Sequence, residues 1–486
     1  FYDNSNDTSL FIVDIGTCLR DVVVNLNKSK LKIVFVCQDG KVIGTISDGD
    51  LRRAFLSGYT LESPTEKIVN RDFISADLSI EATALQDLFT EGIDVVPVLD
   101  ATGALVRIVR RNARPNPIPV ASPDLTSYEH ELVLEALNSG WVSSIGRFVT
   151  DFEEEFADYV GVPAAVSVSS GTSALALAMW TLGLGPGDDV IVPDLTFGAT
   201  ANAVLQVGAR PVLADIARPH WSLDKNTIEA VISPNTRAIV VVHLYGIPAP
   251  MEEIWAVARK HDLVVIEDCA EALGTRYNGV HVGSLSDAGT FSFFGNKTIT
   301  TGEGGMVTFS SAHYLKPART IRSHGMSNDR RYWHEIWGTN LRLTNLQAAL
   351  GVAQLRRLPV MREKRKQIAQ QYSSLFSPFL ETGLELPDIS RHDEVCPWLY
   401  SVLLPAGCRP DAVAEVLLQT GIETRRIFYP LHQQPAFRKF RVPSADYFVS
   451  QQVSSRGLSL PTSSVLTQDE VGVVVQTLAT ALETLQ

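Results

Sequence analysis

The sequence predicts an α/β fold with a mostly parallel central sheet and a smaller α+β C-terminal lobe, preceded by a separate α+β module. Three observations carry this prediction. Between Ala164 and Val307, short apolar runs alternate with helix-length stretches, the βαβ rhythm of a parallel sheet covered on both faces. Within Arg114-Pro-Asn-Pro-Ile-Pro-Val-Ala-Ser-Pro123, four prolines fall in nine residues, which no helix or central strand tolerates. A chain of 486 residues is also too long for one ordinary hydrophobic core.

The expected divisions are residues 1–113, a linker at 114–123, a large domain at 124–355 and a small domain at 356–486. In the first segment, Lys32–Cys37 and Val42–Ile46 have strand patterns around an Asp39-Gly40 turn, and a helical stretch, Gly49–Phe55, follows. The pattern recurs as Val95–Leu99, a turn at Asp100–Gly103, and Ala104–Val109, each unit flanked by a helix. In the second segment, helical patterning covers Leu132–Asn138 and Phe152–Tyr159. Strands are expected at Ala165–Val168, Val190–Val192, Pro211–Leu213, Ala238–Val242 and Leu263–Ile266. Helices and shorter strands follow beyond Leu355.

Composition narrows the function. The formal charge is 42 − 54 = −12, which gives no electrostatic footprint for nucleic acid or anionic membrane. Five scattered cysteines without CxxC spacing suggest neither a disulfide framework nor a zinc site, and fit a reducing cytoplasm. No apolar run reaches the roughly 18 residues of a membrane span. No signal peptide is visible, although the chain starts at Phe1 and a lost leader stays open.

Three stretches carry chemistry. Val166-Ser-Val-Ser-Ser-Gly-Thr-Ser-Ala-Leu175 runs from a strand through Ser-Ser-Gly-Thr-Ser into an Ala/Leu-rich helix. Free N–H groups at such a helix start, with hydroxyls beside them, form a phosphate cradle, but hydroxyl caps are routine and the stretch alone is a weak signal. Leu263-Val-Val-Ile-Glu-Asp-Cys-Ala-Glu271 drives a carboxylate pair to the C-terminal edge of a buried strand, where α/β sheets bind ligands. Such a carboxylate suits a protonated pyridine nitrogen. A strand-end cap is the alternative, and two acids without a nearby histidine make a metal site a poor reading. The decisive stretch is Gly289-Thr-Phe-Ser-Phe-Phe-Gly-Asn-Lys-Thr-Ile-Thr-Thr-Gly-Glu-Gly-Gly305. A random lysine is a solvated surface charge. Lys297 stands instead among aromatic, hydroxylic and glycine residues, where an amine loses its proton readily and can attack an aldehyde.

These stretches agree in order and spacing with Ser139-Gly-Trp-Val-Ser143, Pro193-Asp-Leu-Thr-Phe-Gly-Ala-Thr-Ala-Asn202 and Gly338-Thr-Asn-Leu-Arg-Leu-Thr-Asn-Leu-Gln-Ala-Ala349. Together they resemble the DegT/StrS sugar-nucleotide aminotransferases, fold-type I enzymes that use pyridoxal 5′-phosphate (PLP), over about Ser122 to Gln486. The resemblance implies that Lys297 carries the cofactor and that Asp268 pairs with its pyridine nitrogen. Phe197 would stack on the ring, and Gly171, Thr172 and Ser292 would hold the phosphate. Asn340 would reach that phosphate across a homodimer interface, giving shared active sites, and Glu271 stands where many relatives carry Gln beside the phenolic oxygen. His324 and His432 are candidates for sugar or phosphate contacts, or structural histidines.

Phe291–Gly305, Arg331-Tyr-Trp-His334 and Arg425-Arg-Ile-Phe-Tyr-Pro-Leu-His432 are most similar to the GDP-perosamine synthase branch. That similarity implies a GDP-linked 4-keto-6-deoxy-mannose-like or higher-carbon keto-sugar as acceptor and L-glutamate as donor. Related 3-dehydrases replace the lysine with histidine, so Lys297 argues against a PLP sugar dehydratase. The N-terminal repeat resembles a pair of cystathionine-β-synthase (CBS) modules. Gly44-Thr-Ile-Ser-Asp-Gly-Asp50 matches the family's adenine-nucleotide phrase, whereas Val106-Arg-Ile-Val-Arg-Arg111 has lost it. A nucleotide-sensing regulator is therefore the rival from another class, and a ligand-free structural module the plainer one.

Overall fold

In the computed structural model, residues 11–29, 32–78, 80, 88–89, 93, 95–110, 117–327, 329–389 and 394–485 are described. The chain divides into two compact units, Phe1–Pro117 and Ile118–Gln486.

The first unit builds the same pairing twice. β1 (Ile12–Asp14) runs parallel to β2 (Ile33–Gln38), which pairs antiparallel with β3 (Lys41–Ser47). β4 (Ala76–Asp77) runs parallel to β5 (Val95–Leu99), which pairs antiparallel with β6 (Leu105–Arg110). Asp39 and Gly40 both take positive φ, the backbone a two-residue hairpin needs to match strand twist. Ser47 and Asp50 cap helix Asp48–Leu56 reciprocally: the Asp50 N–H donates to Ser47 Oγ at 3.1 Å, and the Ser47 N–H donates to Asp50 Oδ2 at 2.8 Å. The Ser47 hydroxyl of the nucleotide-like phrase is thus spent on the helix start. Arg111, most of the helix expected before Val95, and residues 114–116 of the expected linker lie outside the described residues.

The remainder of that linker belongs to the second unit. Ile118 and Val120 are buried; the Ile118 N–H donates to Gly421 O, its carbonyl accepts from Glu423 N, and the Val120 N–H donates to Glu423 Oε2. Prolines at 117 and 119 alternate with these donors, so the segment pairs as an edge without losing a needed N–H.

Seven strands form the central sheet of the second unit: β7 (Ala164–Val168), β8 (Asp189–Pro193), β9 (Arg210–Ala214), β10 (Thr236–Val242), β11 (Val264–Asp268), β14 (Ala288–Ser292) and β15 (Gly305–Phe309). A small hairpin, β12 (Arg276–Tyr277) and β13 (Val280–His281), lies between β11 and β14. The spatial order is β7-β15-β14-β11-β10-β8-β9, parallel throughout except that β15 opposes both its neighbours. Two-residue periodicity divides each strand between two cores. Val240 of β10 packs with helix Gly171–Thr181, whereas Ile239 and Val241 pack with helix Met251–His261. Burial on both faces explains why these strands read as continuous apolar runs.

The smaller lobe carries an antiparallel sheet of β16 (Tyr400–Leu403), β18 (Gly457–Leu460) and β17 (Arg425–Arg426), in that order. The expected boundary at 355/356 falls inside one 32-residue helix, Asn345–Phe376. Ala348, Ala349 and Val352 of that helix fill the large-domain core, while Ile368, Tyr372 and Phe376 fill the small-lobe core. Among the described residues, no helix is long and apolar enough to cross a membrane.

Candidate active site

The C-terminal edge of the parallel strands opens into a cavity of about 390 Å³. It is where helices on both faces leave the strand ends uncovered, as ligand sites in open α/β sheets do. Asp268 ends β11 and Ser292 ends β14, while β7 delivers Ser170 and the start of helix Gly171–Thr181; all line the cavity.

Strand alternation separates the two adjacent acids. Asp268 faces the cavity, where Thr200 Oγ1 donates to Oδ2 at 2.9 Å and the Ala270 N–H donates to Oδ1 at 3.2 Å. Burial raises its carboxyl above the usual range, opposed by the Thr200 hydrogen bond. Glu267 points to the other face and accepts from Gly283 N, Leu285 N, Ser286 Oγ and His243 Nε2 at 2.7–3.0 Å. His243 Nδ1 accepts from Ala249 N at 3.0 Å, so its ring donates through Nε2. His243, Glu267 and Cys269 lie close enough to hold a metal, a grouping invisible locally because His243 is distant in sequence. Their fully buried positions and the hydrogen bonds of His243 and Glu267 make a structural brace under the strand end.

Lys297 sits in the turn after β14, its N–H donating to Phe294 O at 2.9 Å. Its Nζ lies 3.7 Å from Glu271 Oε1 and 3.6 Å from the centroid of the Trp398 ring. Burial holds the ammonium below the ordinary lysine range, with Glu271 opposing, and burial raises the Glu271 carboxyl, with Lys297 opposing. The Tyr245 N–H fixes Glu271 by donating to Oε2 at 3.0 Å. Trp398 Nε1 donates to Asn296 O at 2.7 Å, tying the small lobe to the lysine turn.

At the other end, Ser170 caps its helix by accepting from Ser173 N at 3.1 Å. The N–H groups of Gly171 and Thr172 are helix-start donors without an intrahelical acceptor, and both residues line the cavity. A Cβ on Gly171 would stand 2.8 Å from Ser292 Cβ, so only glycine lets the helix start approach β14 this closely. Phe197 is 63% exposed at the cavity lip, its ring 5.8 Å from that of Phe428. Phosphate donors, an aromatic face, an acid for a ring nitrogen and an amine for an aldehyde therefore share one cavity. This donor set fits PLP.

The remaining expected residues lie elsewhere. His432 is buried outside the cavity lining: Nδ1 meets Asp194 Oδ2 at 2.7 Å, Nε2 meets Gln451 Nε2 at 3.0 Å, and the ring stacks on Tyr447. Both ring nitrogens have protein partners, and through Nδ1 the histidine anchors the Asp194 loop. His324 is exposed, with φ +66°, and its carbonyl accepts from His334 Nδ1. Asn340 is also exposed, its Oδ1 accepting from Arg342 Nε at 3.0 Å. Trp398, Arg425 and Phe428 line the cavity from the small lobe without having been singled out individually in the sequence. For Arg425 and Phe428 the signal was the motif that ends in His432.

Comparison with known proteins places this geometry. The model of the DegT/DnrJ/EryC1/StrS aminotransferase family matches residues 123–479. GDP-perosamine synthase of Caulobacter vibrioides is 43% identical over 363 residues, covering 74% of this chain and 97% of that protein. The GDP-perosamine synthase of Escherichia coli O157:H7 is 39% identical over 355 residues, covering 73% and 95%. The Streptococcus pneumoniae sugar-aminotransferase homologue Spr1654, solved in its PLP-form, superposes with a TM-score of 0.71 at 28% identity, covering 76% of this chain and 100% of that one. The chain belongs to the DegT/DnrJ/EryC1/StrS family and is a PLP-dependent sugar-nucleotide aminotransferase.

Proposed function

We propose that the enzyme moves the amino group of L-glutamate to a GDP-linked 4-keto-6-deoxy-mannose-like sugar, or to a higher-carbon GDP-linked keto-sugar. The observation that carries this reading is the Lys297 amine held 3.7 Å from Glu271 in the cavity that Asp268 also lines. Similarity to two GDP-perosamine synthases supports the GDP-linked acceptor.

PLP, when bound, supplies an aldehyde that condenses with primary amines and a ring that withdraws electrons from the adjoining carbon. Gly171, Thr172 and Ser292 would hold its phosphate, Phe197 would cover its ring, and Asp268 would keep a proton on the ring nitrogen. Glu271 would stand beside the phenolic oxygen. Lys297 takes the donor's α-proton in the first half-reaction and returns a proton to the sugar carbon in the second. Its depressed basicity suits both duties, because the neutral amine accepts a proton and the resulting ammonium gives it up readily. Phe428 and Trp398, which line the cavity, would shield that exchange from water.

Exposed Asn340 supports a homodimer in which each copy completes the other's phosphate site; light scattering that found an active monomer would remove that part. In the first unit, the repeated parallel-plus-antiparallel pairing supports a CBS-like module. With the Ser47 hydroxyl committed to its helix cap, adenine nucleotides are expected to bind it weakly, and micromolar affinity by calorimetry would reverse that view.

Lys297→Ala should lose covalent cofactor attachment and turnover while keeping wild-type circular dichroism. In wild type, glutamate should shift the cofactor's visible absorbance, and GDP should inhibit more tightly than UDP or dTDP. Steady turnover by the alanine variant would sink the lysine assignment. Tighter inhibition by UDP or dTDP would overturn the GDP assignment alone.

A further inference from the structure

Arg425 enters the cavity from β17, half-buried, and makes no hydrogen bond or ion pair through its side chain among the described residues. Its neighbour behaves oppositely. Arg426 donates to Asp411 Oδ2 at 2.8 Å and to Ser454 O at 3.3 Å. Alternation along the strand thus sends one guanidinium to a protein acid and aims the other at the cavity. A guanidinium offers five donors in a planar fork, and a partly desolvated one left without an acceptor is costly unless an anion completes it.

We infer that Arg425 is the carboxylate-binding residue for the amino donor, gripping the group attached to the donor's α-carbon. The inference rests on the transaminase reading and adds to it the chemical feature by which the donor is recognised.

Position decides between a carboxylate and the sugar nucleotide's diphosphate. Arg425 lines the same cavity of about 390 Å³ as Lys297 and Glu271, which lie 3.7 Å apart, and its charge acts on both of them. The donor's α-carboxylate is one bond from the carbon whose proton Lys297 removes. A diphosphate on the anomeric carbon lies across the sugar ring from a reacting C4. An anion held near Lys297 is therefore the carboxylate. The second half-reaction then brings an uncharged sugar face to the same guanidinium, which must turn from a carboxylate to hydroxyl oxygens; its fork of donors permits both.

The test titrates glutarate, a dicarboxylate without an amine, and separately GDP into PLP-loaded wild type, Arg425→Gln and Arg425→Lys by isothermal calorimetry. Loss of a charge-assisted pair should weaken glutarate by about 10- to 100-fold in Arg425→Gln. Arg425→Lys should fall between, having charge without the fork, and GDP should change less than about twofold. Unchanged glutarate affinity in Arg425→Gln overturns the inference. So does loss of GDP affinity alone, which would assign Arg425 to the diphosphate, or equal loss of both ligands in both variants. If glutarate binding depends on Arg425 while glutamate leaves the wild-type absorbance unchanged, the carboxylate subsite stands and the transaminase reading falls.

Discussion

Glu271 and Lys297 form the pair through which pH should be felt. Burial depresses the lysine and the Glu271 charge raises it. Replacing Glu271 by Gln removes the raising influence, so the amine should lose its proton at lower pH still. The acid limb of PLP uptake by the cofactor-free protein, followed by absorbance, is expected to move to lower pH in Glu271→Gln. An unmoved limb would mean that Glu271 is already neutral beside the lysine. Lys297, Asp268 and Glu271 were legible because each ends or follows a strand in a locally distinctive stretch. Trp398 was not legible, since it arrives from a separate lobe through folding and lies in an ordinary apolar run, Val395-Cys-Pro-Trp-Leu-Tyr400. Of the two readings open for His432, a substrate contact or a structural histidine, its hydrogen bonds match the structural one, for a related reason. Its motif does reach the cavity at Phe428, but the chain beyond Pro430 turns the imidazole onto Asp194.

At the scale of elements, the approach of the Gly171 helix start to the end of β14 is the tightest constraint on the phosphate cradle. Gly171→Ala would set a Cβ 2.8 Å from Ser292 Cβ and push the helix start away from the end of β14. A cost of about 1–3 kcal/mol is expected from such overpacking, with PLP affinity at least about tenfold weaker. Gly185→Ala is the control, since its new Cβ would meet nothing closer than 3.8 Å and its φ is not positive. Equal melting temperature and PLP affinity in the two variants would contradict the close-approach account. The strands around this cradle were readable from apolar runs and helix-length spacing. The antiparallel direction of β15 was not, because hydrophobic runs carry no sign of strand direction.

Across the whole molecule, the division at Pro117 makes a truncation test. Every residue assigned to the cofactor lies beyond it. Removal of Phe1–Pro117 is expected to leave PLP binding in place and the second unit's melting temperature nearly unchanged. Extending the cut through Ala121 removes the Ile118 and Val120 bonds to Gly421 and Glu423 and should lower that temperature by several degrees. Identical melting of the two truncations would show that this edge adds no stability. The proline-rich stretch spans the division at Pro117, yet it hid the pairing, because Ile118 and Val120 are recognisable as edge residues only once Gly421 and Glu423 stand opposite.

Helix Asn345–Phe376 gives both lobes a wall, with Val352 in one core and Tyr372 in the other. Melting either lobe would strip apolar cover from the other along a continuous rod, so neither has an independent thermodynamic existence. The isolated second unit should therefore unfold in a single calorimetric transition, its van't Hoff and calorimetric enthalpies agreeing. Two resolved heat-capacity peaks would show that the rod can fray in its middle, near Pro359, where one backbone donor is already missing.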